Sequence, residues 1–134
     1  MLLQPKKTKF KKYKKGTLPK LEYRSNQLKF GIFGLKAMNS GSISAKQIES
    51  ARQAITRKIK REGRVWVRIF PNLPITAKPI EVRMGKGKGS VSHWVKKVAG
   101  GAILFEIDGV SEKLARTALR TGGAKLPVKT KIII

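Results

Sequence analysis

Apolar residues recur at helical spacing in two parts of the chain. Over residues 44–62 one apolar face is formed by Ile48, Ala51, Ile55 and Ile59, which follow one another at intervals of three or four. Ser44-Ala45-Lys46-Gln47 has the form of a capping box, which predicts that the helix begins there. Gly63 stands where a left-handed residue typically follows a helix.

A second helix is predicted to begin at Ser111, a good N-cap residue. Leu114, Ala118 and Leu119 form its apolar side, and Gly122-Gly123 ends it.

The remaining apolar positions are typical of strands. Strands are predicted over residues 28–38, 64–70, 80–84, 93–98, 102–107 and 128–134. In the first, Gly31 and Gly34 permit a bulge or a close approach, and a Gly100-Gly101 turn connects 93–98 to 102–107. This order of elements predicts an α+β fold in which two helices pack on a largely antiparallel sheet.

Charge limits the function more than any motif does. The chain has 134 residues, of which 31 are Lys or Arg and 7 are Asp or Glu, so its net charge is +24. Such an excess repels itself in a compact domain and indicates a polyanionic partner, that is, nucleic acid. No apolar run is long enough to span a bilayer, and no amphipathic helix with the bulky apolar residues of a membrane-surface binder is visible, so a membrane partner is not expected. With one His, no Cys and few acids, we expect no metal, no cofactor and no enzymatic activity.

Residues 1–20 form a basic arm, and residues 21–134 are expected to form a single domain. The arm's candidate RNA ligands are Lys6, Lys7, Lys9, Phe10, Lys11, Lys12, Tyr13, Lys14 and Lys15. A run of like charges does not pack on itself in water, and the two aromatic rings are suited to stacking on unpaired bases. The alternative is a solvated tail.

The first helix carries a basic face opposite its apolar one. Its members are Lys46, Arg57, Lys60 and Arg61, and few acids are close in the sequence to pair with them. We therefore favour phosphate contact over simple solvation.

A glycine-rich loop is the third candidate site. It consists of Arg83, Met84, Gly85, Lys86, Gly87, Lys88 and Gly89. It matches neither the Walker A pattern nor the dinucleotide fingerprint. Glycine lets backbone N–H groups approach an anion, and each Lys adds a charge, although a loop tip facing water is the alternative.

His93 is the only residue that suggests hydrolase chemistry, through a triad with Asp108 and a Ser. No G-x-S-x-G motif supplies a nucleophile, so a packing or stacking role is favoured.

Together these segments resemble large-subunit ribosomal protein sixteen of the bacterial and organellar type. The matching segments, in family order, are PKKTKFKKYKKG (5–16), FGIFGLKA (30–37), SAKQIESARQAITRKIKREGRVWVRIFP (44–71), LPITAKPIEVRMGKGKG (73–89), ILFEIDGVSEKLAR (103–116) and AKLPVKT (124–130). Residues 39–42, Ser92 and Lys96-Lys97 depart from the usual pattern of the family.

The resemblance implies a structural protein of the large ribosomal subunit, with rRNA, tRNA and other large-subunit proteins as partners. It implies binding near the peptidyl-transferase centre, where the protein helps to shape the aminoacyl-tRNA site. The loop from Arg83 to Gly89 would face rRNA and tRNA, and Arg83 occupies a position that is hydroxylated in some members.

A free-standing nucleic-acid binder or RNA chaperone is the alternative function. Such a protein needs a dimer surface or a groove-reading helix, and neither is visible, so a homo-oligomer is not expected. A mitochondrial ribosome is favoured by the excess of lysine, 22 Lys against 9 Arg, and by the segment LFEIDGVSE. The bacterial cytoplasm is the alternative.

Overall fold

The computed structural model describes residues 3–134, so Met1 and Leu2 of the predicted arm lie outside the described residues. Within that range the strands are β1 Phe33–Ala37, β2 Gly41–Ser44, β3 Arg64–Val67, β4 Leu73–Ala77, β5 Ser90–Val98, β6 Ile103–Asp108 and β7 Thr130–Ile133, and the helices are α1 Ala45–Lys58 and α2 Glu112–Gly123.

The strands form two antiparallel sheets rather than one. The four-stranded sheet has the order β3-β6-β1-β7, and the three-stranded sheet has the order β2-β5-β4. All of these pairings are antiparallel, which confirms the predicted α+β class. The strands on either side of Gly100-Gly101 do not pair with each other, because β5 belongs to one sheet and β6 to the other. That glycine turn therefore passes the chain between sheets.

The core lies between the two helices and one face of the four-stranded sheet. Leu35, Phe105 and Ile107 of the sheet pack with Ile55 and Leu119 of the helices, and all five are buried. The predicted apolar faces of both helices are confirmed in this way, although Leu114 is only partly buried.

Helix α1 begins as predicted but ends earlier. The Gln47 N–H donates to Ser44 Oγ at 3.3 Å, and the Ser44 N–H donates to Gln47 Oε1 at 2.9 Å, which completes the capping box. The helix ends at Lys58, not near residue 62. Lys60 and Arg61 therefore lie beyond the helix, and their prediction as members of its basic face is wrong.

A Schellman motif accounts for the early end of α1. The Lys60 N–H donates to Arg57 O at 3.2 Å, and the Arg61 N–H donates to Thr56 O at 3.1 Å. Lys60 thus holds the left-handed position after the helix, at φ 53°, which the sequence had suggested for Gly63. Gly63 is required for another reason: at φ 65°, its missing Cβ leaves room for the carbonyl oxygen of Asp108.

The strand predictions were least accurate where no partner strand is available. Residues 80–84 form turns and bends rather than a strand, and Ile80 and Met84 are almost fully exposed. The first predicted strand is reduced to β1, but Gly31 does approach a neighbour closely, since a Cβ there would lie 2.6 Å from Ile107 O. The last strand is reduced to β7.

Glu106 fixes the segment before β1 on the other face of the four-stranded sheet. Its carboxylate is fully buried and accepts hydrogen bonds from the N–H groups of Phe30 at 2.7 Å and Gly31 at 2.9 Å. It also accepts a weaker bond from the Lys29 N–H and is ion-paired with Arg68. Burial alone raises the pKa of Glu106, but these donors outweigh it and hold the pKa below its ordinary value.

Helix α2 begins after Ser111 as predicted, although the Ser111 side chain makes no capping hydrogen bond. In the described part of the chain, neither helix is long and apolar enough to cross a membrane.

Candidate nucleic-acid interface

The arm over residues 3–20 contains no helix or strand and leaves its basic side chains exposed. Phe10 and Tyr13 make an edge contact, with ring centroids 5.9 Å apart, and Lys9 Nζ lies 5.6 Å from the Phe10 centroid. At its beginning, Leu3 packs against the hydrophobic core. The arm therefore presents lysines and aromatic rings together while contacting the domain.

The loop at 83–89 is shaped by three consecutive residues with positive φ. These are Gly85 at 101°, Lys86 at 50° and Gly87 at 88°. Lys78 Nζ donates to Gly85 O across the base of the loop. A Cβ placed on Gly85 or Gly87 would meet no atom within 4 Å, so these glycines serve the backbone turn and leave the main chain open on that side.

The structure brings the arm and the loop into direct contact. Lys12 Nζ donates to Lys88 O at 2.8 Å, and Lys88 Nζ donates to Tyr13 O. Farther along, Lys97 Nζ on β5 donates to Lys15 O and, at 3.1 Å, to Thr17 O. The two candidate sites are thus parts of one surface, which we call the arm–loop surface (residues 6–17, 83–89 and Lys97).

Lysines hold this surface together without neutralising it. Each of these bonds runs from an ammonium group to a neutral backbone carbonyl, so the positive charge stays on the surface. The chain has no Asp or Glu in residues 1–20 or 83–97. Because cations this close repel one another in water, the surface is best stabilised by an external anion.

Within residues 3–134, the basic residues predicted on the first helix form no contact with the arm–loop surface like those of Lys97. Lys46 is exposed at the start of α1, where it lines a cavity of about 300 Å³ with Ser92 and His93. Arg57 is exposed in the last turn of α1. Lys60 and Arg61, which were predicted on the helix, are exposed just after its end.

His93 shows no catalytic arrangement. Its ring is exposed, and Nδ1 lies 3.3 Å from Ser92 Oγ. The carboxylate of Asp108 instead accepts a hydrogen bond from the Gly109 N–H at 2.7 Å. Across residues 3–134, no group of His, Asp and Glu side chains is placed to hold a metal ion.

Two basic features were not predicted from the sequence. Lys97 had been noted only as a departure from the family pattern, yet it binds the arm. Arg116, Arg120 and Lys129 line a cavity of about 560 Å³ between α2 and β7. The spacing of four between the two arginines would have placed them on one side of the helix.

Comparison with known proteins assigns the sequence to a family. The sequence model of the family "Ribosomal protein L16p/L10e" matches residues 5–133. Proteins named large ribosomal subunit protein uL16 from Chelativorans sp. (strain BNC1), Hyphomonas neptunium and Bartonella henselae are each 58% identical over 132 residues, covering 98% of this chain and 96% of theirs.

The family consists of structural ribosomal proteins and not of enzymes, which confirms those two predictions. The relatives named above are bacterial, so the preference for mitochondria is not confirmed. Since the family match extends over almost the entire chain and these relatives share more than half of its residues, the chain belongs to the ribosomal protein L16p/L10e family.

Proposed function

We propose that this chain is a structural constituent of the large ribosomal subunit that binds its rRNA mainly through the arm–loop surface. We further propose that the loop from Arg83 to Gly89 helps to shape the aminoacyl-tRNA site near the peptidyl-transferase centre and contacts tRNA there. The observation that carries the proposal is the contact between arm and loop, which joins two acid-free basic segments in a chain of this family.

The bonds within the arm–loop surface explain why RNA suits it. Lysine side chains that bond to carbonyl oxygens are held in place while keeping their charge, so they are prepared for phosphate contact. Each phosphate contact releases condensed counterions, which provides a large, sequence-independent part of the affinity. Phe10 and Tyr13 add exposed rings on which unpaired bases stack.

The conformation of the loop supports a contact with tRNA or rRNA backbone. Its open main chain at Gly85 and Gly87 allows close approach of a ribose-phosphate chain. Arg83 is exposed, so its side chain is accessible to a hydroxylating enzyme, and we propose it as the modified position.

The first experiment is sedimentation of tagged protein from its native cells, followed by sequencing of the RNA that crosslinks to it. We expect recovery in large subunits, with crosslinks from residues 83–89 to rRNA or tRNA. Recovery in light fractions on mixed nucleic acids would instead support the free-standing binder. The rRNA sequence also decides the compartment, for which we propose the mitochondrial matrix on the lysine excess, against the bacterial cytoplasm.

A second experiment tests the loop itself. Lys86 is exposed in the loop, and Lys113 is an exposed lysine of α2. Lys86→Ala should reduce the magnitude of the slope of log K against log salt for an rRNA fragment by about 0.7–0.9, the range for one lost phosphate contact on single and double strands. The matched variant Lys113→Ala removes the same charge outside the arm–loop surface and should leave the slope unchanged. Equal slopes for the two variants would exclude Lys86 as a phosphate ligand.

A further inference from the structure

An aromatic pair lies on the face of the four-stranded sheet opposite the helices. Along β3 and just beyond it, Arg64, Trp66 and Arg68 alternate with Val65 and Val67, which pack toward the core. The Phe30 ring stacks on Trp66, with centroids 6.2 Å apart and planes 19° apart. Phe30 remains 57% exposed, so its ring is presented to solvent rather than packed in the core.

The position of Phe30 is set by its backbone. Glu106 accepts hydrogen bonds from the Phe30 and Gly31 N–H groups and holds Arg68, whose guanidinium carbon lies 5.1 Å from the Phe30 centroid. Because a buried carboxylate fixes both the main chain and the cation beside the ring, the exposed aromatic surface needs no rearrangement before binding.

A cavity of about 510 Å³ adjoins this pair. Its lining residues are Phe30, Gly63, Arg64, Trp66, Asp108 and Gly109. Arg64 and Asp108 are opposite each other in the register of β3 and β6. They nevertheless form no ion pair with each other, since the ion pairs among residues 3–134 join other residues. Asp108 Oδ1 accepts from the Gly109 N–H, and the second carboxylate oxygen is left to accept from a ligand. The cavity thus combines an aromatic surface, a cation and a hydrogen-bond acceptor.

We propose that this cavity binds one unpaired nucleotide of RNA, an inference that rests on the proposed RNA-binding function. The base stacks on the exposed aromatic surface of the Phe30–Trp66 pair, and its phosphate is bound by Arg64. Asp108 accepts a hydrogen bond from an exocyclic amine on the base. A carboxylate repels the carbonyl oxygen that uracil presents at this edge, whereas cytosine presents an amine there, so cytosine is preferred over uracil.

The test uses the full chain in a Trp94→Phe background, which leaves Trp66 as its only tryptophan. The probes are a cytidine pentanucleotide, the uridine pentanucleotide and an abasic pentamer with the same phosphates. Stacking should quench Trp66 fluorescence with cytidine and not with the abasic probe. Phe30→Leu should weaken cytidine binding about tenfold, a typical loss for one stacked base, and leave abasic binding unchanged. Asp108→Asn should remove the preference for cytidine over uridine.

Phe70→Leu is the matched control, because Phe70 is an exposed phenylalanine that does not line this cavity. It should bind all three probes like the parent protein. Equal binding of cytidine and abasic probes without quenching would overturn the stacking site while leaving electrostatic RNA binding intact. Failure to bind any of the three probes in low salt would overturn the proposed binding of RNA by the arm–loop surface and this inference together. The quenching measurement on the parent protein keeps the test valid even if Phe30→Leu unfolds.

Discussion

Replacing Glu106 with Gln is expected to destabilise the protein far more than its charge alone would suggest. Glu106 is the one buried charged residue in the described part of the chain, and it holds Arg68 together with the N–H groups of residues 29–31. Glu106→Gln replaces one acceptor oxygen with an amide donor, which then faces other donors. It also leaves the Arg68 guanidinium without its counter-charge, at a side-chain exposure of only 12%.

Breaking a buried ion pair from one side costs about 3–5 kcal/mol, a large part of the roughly 5–15 kcal/mol that stabilises a typical domain. With a urea m value of about 2 kcal/mol/M for a chain of this size, the midpoint should fall by about 2 M. The pair between Glu112 and Arg116 provides the control, because its side chains are 55% and 52% exposed. Glu112→Gln should lower the midpoint by no more than about 0.3 M.

The assay is urea unfolding followed by circular dichroism at one fixed salt concentration, with both variants and the parent measured in parallel. A fall of less than about 0.5 M for Glu106→Gln, at unchanged m, would refute the view that this carboxylate organises the segment. A double-mutant cycle with Arg68→Met gives a further check. The double variant should lose less free energy of unfolding than the two single variants lose together, since removing both partners leaves no unpaired buried charge.

Three further outcomes follow from the structure. Because the pKa of Glu106 is lowered in the folded state, its contribution to the free energy of unfolding is complete above about pH 4.5 and is lost as the pH falls through the folded-state pKa. The difference in free energy of unfolding between the parent and Glu106→Gln should therefore shrink as the pH is lowered. Lys60→Gly should stabilise by about 0.5–1 kcal/mol in urea unfolding, because Lys60 is left-handed, whereas Lys58→Gly inside the helix should destabilise by about 1 kcal/mol. Gly122→Ala should cost about 1–3 kcal/mol in the same assay, since its Cβ would lie 2.5 Å from Ile55 Cγ1, and no loss would show that α1 and α2 can separate at little cost.

Local patterns in the sequence predicted those features that depend on neighbouring residues. The capping box from Ser44 to Gln47 and the apolar side of α1 both formed as expected, because each depends on contacts within a few positions. The left-handed Lys60 could not be identified, since a lysine is uncommon at such a position and Gly63 offered the more usual candidate. The strand predicted over 80–84 did not form, because a strand also requires a partner, which no local pattern supplies.

Contacts between segments that are distant in the sequence could not be predicted. The arm–loop contact joins Tyr13 to Lys88 through a side chain and a backbone carbonyl, and every residue type has such a carbonyl, so no residue pattern marks it. The lysines of both segments were identified individually from their charge, while their assembly into one surface was not. The cavity beside Phe30 and Trp66 was missed for a similar reason, since those residues are 36 positions apart in the sequence and meet only through Glu106 and β3.

The strand order β3-β6-β1-β7 also has a consequence for how the protein is made. β1 and β3 both pair with β6, which follows them by roughly 70 and 40 residues, so during synthesis neither has its partner until residue 108 has left the ribosome. Folding dominated by such distant pairings is slow. The basic first half of a newly made chain is therefore available to nucleic acid before the sheet has closed.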